Sequence, residues 1–164
     1  MIFEKIRPWL LRIGSYLRRT RPLLKYGKGC RFERSSTLRL GQQAQALLGE
    51  KVVLRAGSVI DVARRGRLEL GDKAEIRHYA VVECGASVSV GHRSVIGAYN
   101  WLQGSGGITI GDDVIIGPGV RIISTTHDIS DPDRVFAVQP LIEKPIYIGS
   151  NVWIGADVVI LGKL

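Results

Sequence analysis

The chain has 164 residues, 45% apolar and 23% charged, with a formal net charge of +8, enough for one domain with a sizeable core and seldom for two. No apolar run approaches the 18 residues a membrane-spanning helix needs. Twenty glycines against six prolines, without a G-X-Y period, exclude collagen and argue against Pro/Gly-rich disorder, and the two cysteines, Cys30 and Cys84, form neither a disulfide framework nor a zinc motif.

The basicity is concentrated at the start. Residues 1–25 hold seven Lys and Arg against Glu4, a net +6, which leaves +2 for the other 139 residues. That body shows no basic stripe with interleaved aromatics, so a nucleic-acid partner is not expected. Within the arm, Ile2, Phe3, Ile6, Trp9, Leu10, Ile13 and Leu17 recur at spacings of three and four, one face of an amphipathic helix that Pro8 would kink. Arg12 interrupts the apolar stretch and no small-residue cleavage site follows, so a signal peptide fits poorly. Two readings stay open for this helical arm: a membrane-surface helix, with Trp, Phe and Leu opposite Lys and Arg, or a cap over the end of the next domain. Cysteine usage fits a reduced, cytoplasmic protein, peripheral at the inner face of the membrane if the arm is the anchor.

From residue 26 onward the chain is an internal repeat. Aliphatic-Gly pairs fall at Leu48-Gly49, Leu70-Gly71, Val90-Gly91, Ile110-Gly111 and Ile148-Gly149, at intervals of 22, 20, 20 and 38, the last being 20 plus an insertion of 18. Between them an aliphatic recurs every sixth residue: Leu48, Leu54, Ile60; Leu70, Ile76, Val82, Val88; Val90, Ile96, Leu102, Ile108; Ile110, Ile116, Ile122; Ile148, Ile154, Ile160. A column of mostly small residues follows each anchor by four, Arg64 being its clear exception. Three six-residue steps give a coil of about 18 residues with three short strands, the pattern of a parallel β-helix. A period of six matches no helical harmonic, and the hairpin signals of a β-sandwich are missing. Residues 26–164 are therefore expected to form an all-β solenoid, with an insertion loop at about 128–144. Cys84, two after anchor Val82, is expected to point outward as an incidental thiol.

The segments IGDDVIIGPGVRI (110–122) and IGSNVWIGADVVI (148–160) resemble those of the hexapeptide-repeat acyltransferases, over about residues 48–164 with a weaker extension to 26. The resemblance implies a left-handed parallel β-helix, a homotrimer with sites between neighbouring helices, and transfer of an acyl group from coenzyme A or acyl carrier protein. Acetyl-CoA would be a co-substrate, with no permanently bound cofactor. Members usually continue with at least one more coil and a C-terminal cap, so a chain stopping at Leu164 reads as a truncated product or fragment.

His127 is the candidate general base. It lies five residues after anchor Ile122, outside the core near a corner, where the insertion begins. Long loops in tight repeats are usually functional. The run Ser124-Thr125-Thr126-His127-Asp128 resembles the catalytic-histidine segment of the sugar and exopolysaccharide O-acetyltransferases; the alternative is a surface histidine at a loop hinge. Asn100, about one coil earlier, is a candidate for positioning substrate and base, or an asparagine stacked inside the coil. Trp153 resembles the family's tryptophan on the coenzyme A side, or packs against a partner or the loop. Glu143 and Asp131 in the insertion are candidates for holding the acceptor or orienting the histidine. The spacings of His78, His92 and His127, 14 and 35, argue against a metal site. The leading expectation is an O-acetyltransferase acting on a sugar hydroxyl in surface polysaccharide or lipopolysaccharide assembly. An N-acyltransferase for a nucleotide-linked amino sugar or serine-type acceptor, and a non-catalytic β-helix scaffold, are the alternatives.

Overall fold

The computed structural model describes residues 11–13 and 21–162. The chain winds through three flat faces in a fixed order, and each face is a parallel sheet whose neighbouring strands come from successive coils. Face B holds Leu23–Tyr26, Gln45–Leu48, Arg67–Leu70, Ser87–Val90, Ile108–Ile110 and Ile146–Ile148. Face C holds Arg31–Phe32, Val53–Leu54, Glu75–Ile76, Val95–Ile96, Ile115–Ile116 and Trp153–Ile154. Face A holds Leu11–Ile13, Thr37–Leu40, Val59–Val62, Val81–Cys84, Trp101–Gln103, Arg121–Ile123 and Val159–Leu161. This is the all-β parallel β-helix that the six-residue step predicts.

Partner residues on successive coils are 22, 22, 20, 20 and 38 positions apart, as in Leu23↔Gln45, Gln45↔Arg67, Arg67↔Ser87, Val88↔Ile108 and Ile108↔Ile146. The coil is thus longer than the 18 residues expected. Faces A and B use strands long enough to turn two residues inward, such as Ile60 with Val62 and Leu68 with Leu70, all fully or nearly fully buried. Two such pairs bring the three six-residue steps to 22, and an A–B corner shortened by two residues after Cys84 brings the following coils to 20.

The same feature corrects Cys84. Residues two apart on a strand share a face, so Cys84 follows Val82 inward and stacks in register on Val62 and, one coil further, Leu40. It is 1% exposed, and its Sγ donates to the Arg67 carbonyl at 3.0 Å. Burial pushes its pKa up to about 11, and thiols react as thiolates. Iodoacetamide treatment of the native protein near neutral pH, read by peptide mass spectrometry, should leave Cys84 unmodified until denaturant is added. Equal labelling in the folded and unfolded protein would contradict this packing.

Fifteen of the seventeen aliphatic anchors are buried, among them Leu54, Ile76, Ile96 and Ile116 at 0–1% exposure; Ile148 and Ile160, on the last coil, are partly buried against the same core. The column four after each anchor is interior at Val52, Ser58, Ala74, Ala80, Ser94, Asn100, Val114 and Val120. Ala86 and Gly106, at the shortened corner between faces A and B, are not buried.

The corners are left-handed turns stacked in columns. Between faces B and C they place Gly29, Lys51, Lys73, Arg93, Asp113 and Asn151 at positive φ, and between C and A they place Ser35, Gly57, Tyr79, Tyr99, Gly119 and Asp157 there. The preceding glycines serve close approach: a Cβ on Gly71 would sit 2.7 Å from the His92 nitrogen. After each glycine runs a ladder of side-chain caps. Glu50 N donates to Asp72 Oδ1, Asp72 N to His92 Nδ1, His92 N to Asp112 Oδ1 and Asp112 N to Ser150 Oγ, all within 2.7–3.0 Å. Gly-Asp, Gly-His and Gly-Ser thus tie each coil to the next.

The helical arm expected over residues 2–17 finds no support where it can be seen. Leu11–Ile13 form a strand in parallel register with Leu38–Leu40. The first face-A strand of the solenoid otherwise leaves an unpaired backbone edge, and Leu-Arg-Ile satisfies a period of two as well as a period near 3.6. The rest of that expectation, residues 1–10 and 14–20, lies outside the described residues.

Candidate active site

The 38-residue coil keeps its register on both sides of the insertion. Arg121 still pairs with Val159, and Ile115 with Trp153. The extra chain is ejected after Ile123, at the corner between faces A and B, and Ser124 fixes the exit point. Ser124 is fully buried; its Oγ donates to the Gln103 carbonyl at 2.7 Å and accepts from Gly106 N at 2.9 Å, while its own carbonyl accepts from Lys144 N at 2.9 Å. Both ends of the insertion are therefore stapled to one interior residue.

From there Thr125–His127 and Leu141–Glu143 form an antiparallel hairpin, with Thr125 opposite Glu143 and His127 opposite Leu141. Thr125 Oγ1 donates to Gln103 Oε1 at 3.0 Å, which ties the hairpin to face A. His127 is exposed, and its ring has no hydrogen-bond or ionic partner among the described residues. Strand alternation places His127 and Glu143 on the same side of the hairpin as diagonal neighbours, a relation that typically spans about 7–8 Å and is within reach of a long side chain.

The loop beyond is ordered by its own polar groups. Asp128 Oδ1 accepts from Ser130 N at 2.9 Å, which with the Ser130 side chain holds this carboxyl below its usual range. Gln139 is 6% exposed, and its Nε2 donates to the carbonyls of Asp131 at 3.1 Å and Arg134 at 2.8 Å. Asp131 is exposed, and its carboxylate accepts from Asp133 N. In the sequence Ser124 appears only as part of the histidine segment, with no anchoring role, and Gln139 does not stand out. Ser124 had a signal, since it lies two after anchor Ile122, at the second inward position of a face-A strand. Gln139 had none.

Asn100 is fully buried in the coil interior. Its Oδ1 accepts from Val120 N on the next coil at 2.7 Å, and its Nδ2 has no partner among the described residues. Trp153 is 80% exposed on face C, beside Ile115 at 56%. Of the five candidates, the fold brings His127, Glu143 and Asp131 onto one insertion, encloses Asn100 in the interior, and sets Trp153 on a different face of the same chain.

Among the described residues no cluster of His, Cys, Asp and Glu is arranged to hold a metal ion. His78 Nε2 lies 3.8 Å from Glu33 Oε2, and His92 belongs to the corner ladder.

No family model matches the chain. Sequence relatives are nodulation protein L of Rhizobium meliloti, 32% identical over 60% of this chain and 52% of that protein, and a probable acetyltransferase of Mycobacterium tuberculosis, 28% identical over 85% of this chain and 45% of that protein. Galactoside O-acetyltransferase of Lactococcus lactis is 41% identical over a shorter stretch, 33% of this chain and 25% of that protein. The chain thus spans about half, or less, of the length of the curated relatives it matches. In structure it is similar to the polySia-specific acetyltransferase NeuO, with a TM-score of 0.59 over 94% of this chain and 70% of that one at 18% identity, a likeness of fold. The resemblance to hexapeptide-repeat acyltransferases therefore holds in sequence and in architecture.

Proposed function

We propose that the protein transfers an acetyl group from acetyl-CoA to a sugar hydroxyl, with His127 as general base. One observation carries this reading: an exposed imidazole stands on a hairpin ejected from between two coils that remain in register across an 18-residue insertion. A solenoid that served only as a scaffold needs no such interruption.

The chemistry asks for little else. A sugar hydroxyl is a poor nucleophile at neutral pH. The neutral imidazole takes its proton as the oxygen attacks the thioester carbonyl. The tetrahedral intermediate then expels the coenzyme A thiolate, which recovers a proton from the imidazolium, leaving an O-acetyl ester and free coenzyme A. Donors aimed at the developing oxyanion lower the barrier further. Glu143, diagonal to His127, is read as the group that orients the ring or receives the acceptor; Asp131 lies further out on the same loop.

Trp153 is read as the coenzyme A-side aromatic. Because it lies on face C while the hairpin leaves the A–B corner, one chain does not join the two, and a homotrimer with sites between subunits supplies the missing wall. Asn100 acts from the interior, holding the coil beneath the insertion through Val120. The sugar acceptor is supported by relatives named for a galactoside and for polySia, and surface polysaccharide or lipopolysaccharide assembly is the setting that suits such an acceptor.

The test is coenzyme A release from acetyl-CoA across a panel of sugars and amino sugars, with products identified by mass spectrometry. The expected product carries an alkali-labile O-acetyl ester. Acetylation of amines alone would replace this reading with an N-acyltransferase, and no release with any acceptor would favour the scaffold.

A further inference from the structure

The near-neutral sum of the body conceals a separation of charge along the helix axis. Residues 21–67, the first two coils and the start of the third, carry eleven Lys and Arg against Glu33, Glu50 and Asp61, a net +8. Residues 68–162 carry six against eleven, a net −5. The few acids of the basic end are largely spent. Arg55 bonds Glu33 at 2.7 Å and Glu75 at 2.8 Å, and Asp61 lies 3.7 Å from Arg39.

The uncompensated cations run around two of the three faces of the first coil; on face A its Arg39 is paired with Asp61, and the strand Leu11–Ile13 lies below it. Lys25 lies on face B, Lys28 at the next corner, Arg31 on face C and Arg34 at the corner leading to face A, and all four are exposed. None of them forms an ion pair with a carboxylate among the described residues. The second coil adds exposed Lys51, Arg64 and Arg65 one step of about 4.8 Å further along the axis.

A band around one end of a rod complements a plane. A linear polyanion would need a positive track along the rod, and the axial column of Lys51, Lys73 and Arg93 does not offer one. Glu50 and Asp72 alternate with it in sequence, and Arg93 is paired with Asp113 at 2.6 Å. The acidic coils do not oppose a plane at the basic end. The nearest acids beyond the second coil, Glu69, Asp72, Glu75 and Glu83, lie on the third coil among Arg67, Lys73 and Arg77, about 10 Å above the first coil, and the others stand on the fifth coil and beyond, all past the screening length of about 8 Å at physiological salt. Residues 1–20 add five further cations against Glu4. No helix among the described residues is long and apolar enough to cross a membrane.

We propose that this collar of the first two coils docks the solenoid end-on against an anionic lipid bilayer. The axis then stands steeply on the membrane, and the hairpin bearing His127 leaves the fifth coil, four steps or about 20 Å above the first. An acceptor attached to the membrane would be met at that height.

The test is co-sedimentation of the full chain with phosphatidylcholine vesicles, with and without phosphatidylglycerol. Binding should require phosphatidylglycerol and weaken as salt is raised. Each basic residue at such a surface contributes about fivefold in affinity. The triple variant Lys28→Glu, Arg31→Glu, Arg34→Glu should therefore bind at least about a hundredfold more weakly, whereas Arg121→Glu, a reversal at an exposed position on the fifth coil, should bind as the parent does. A triple glutamine variant, matched to the parent by thermal unfolding, gives the same test without introduced repulsion and should also lose most of its binding. Failure to bind phosphatidylglycerol vesicles would overturn the proposal. So would parental affinity in both triple variants, which would place the contact in residues 1–20. Tighter, collar-dependent binding to a soluble anionic polysaccharide would make a polymer the partner instead.

Discussion

Replacing Leu102 with alanine should destabilise the protein by about 2–5 kcal/mol. Leu102 is fully buried and stacks in register between Val82 on the coil below and Ile122 on the coil above. In a solenoid each coil packs only on its neighbours. The lining of the cavity is therefore two other anchors held by their own strand registers, and neither can collapse into the gap without breaking a sheet. The loss belongs near the upper part of that range because the site cannot relax. Thr109, exposed on face B in the next coil, is the control; its replacement by alanine should stay within about 0.5 kcal/mol. Guanidinium unfolding followed by circular dichroism separates the two, with a lowered midpoint for Leu102→Ala at an unchanged slope. Equal losses in the two variants would mean that the six-residue column is not the core.

How much of this architecture can be read from sequence follows from what each coil must do. Every coil turns its branched aliphatics toward a narrow axis and has no other way to bury them, so Leu54, Ile76, Ile96 and Ile116 announce themselves by spacing alone. Counting by six fails where a second rule is superimposed. Cys84 lies two residues after an anchor, and the strand period of two returns it to the interior, beside Val62 in the coil below. The arm shows the complementary failure. Leu11, Arg12 and Ile13 fit both a helical and a strand pattern, and the choice falls to tertiary context, a free edge at Thr37–Leu40 that local sequence does not contain.

The site was legible to a similar depth. His127 stood out because the insertion after it breaks a beat that is otherwise regular. Its environment did not. The buried Ser124 that anchors both ends of the hairpin, and the Gln139 that gathers the loop carbonyls, act through contacts between residues far apart in the repeat. Trp153 was legible only through its resemblance to the family's tryptophan, and its distance from His127 depends on which faces the coil assigns to residues 127 and 153. The division of charge lay in the composition throughout, yet a sum over the body hides it, because the basic coils and the acidic coils nearly cancel.

The central claim is that His127 removes the acceptor proton, and replacing it with alanine tests that most directly. The side chain is exposed on the hairpin and outside the core, so the variant should fold and melt as the parent does. General-base catalysis by a positioned side chain contributes about 10²–10⁴-fold in rate. Acetyl transfer from acetyl-CoA to the best sugar acceptor, measured as coenzyme A release under saturating donor, should therefore fall by at least about a hundredfold in His127→Ala, while the thermal unfolding curve is unchanged. A variant that folds normally and keeps more than about a tenth of the parental rate, well above what loss of a general base allows, would contradict the account.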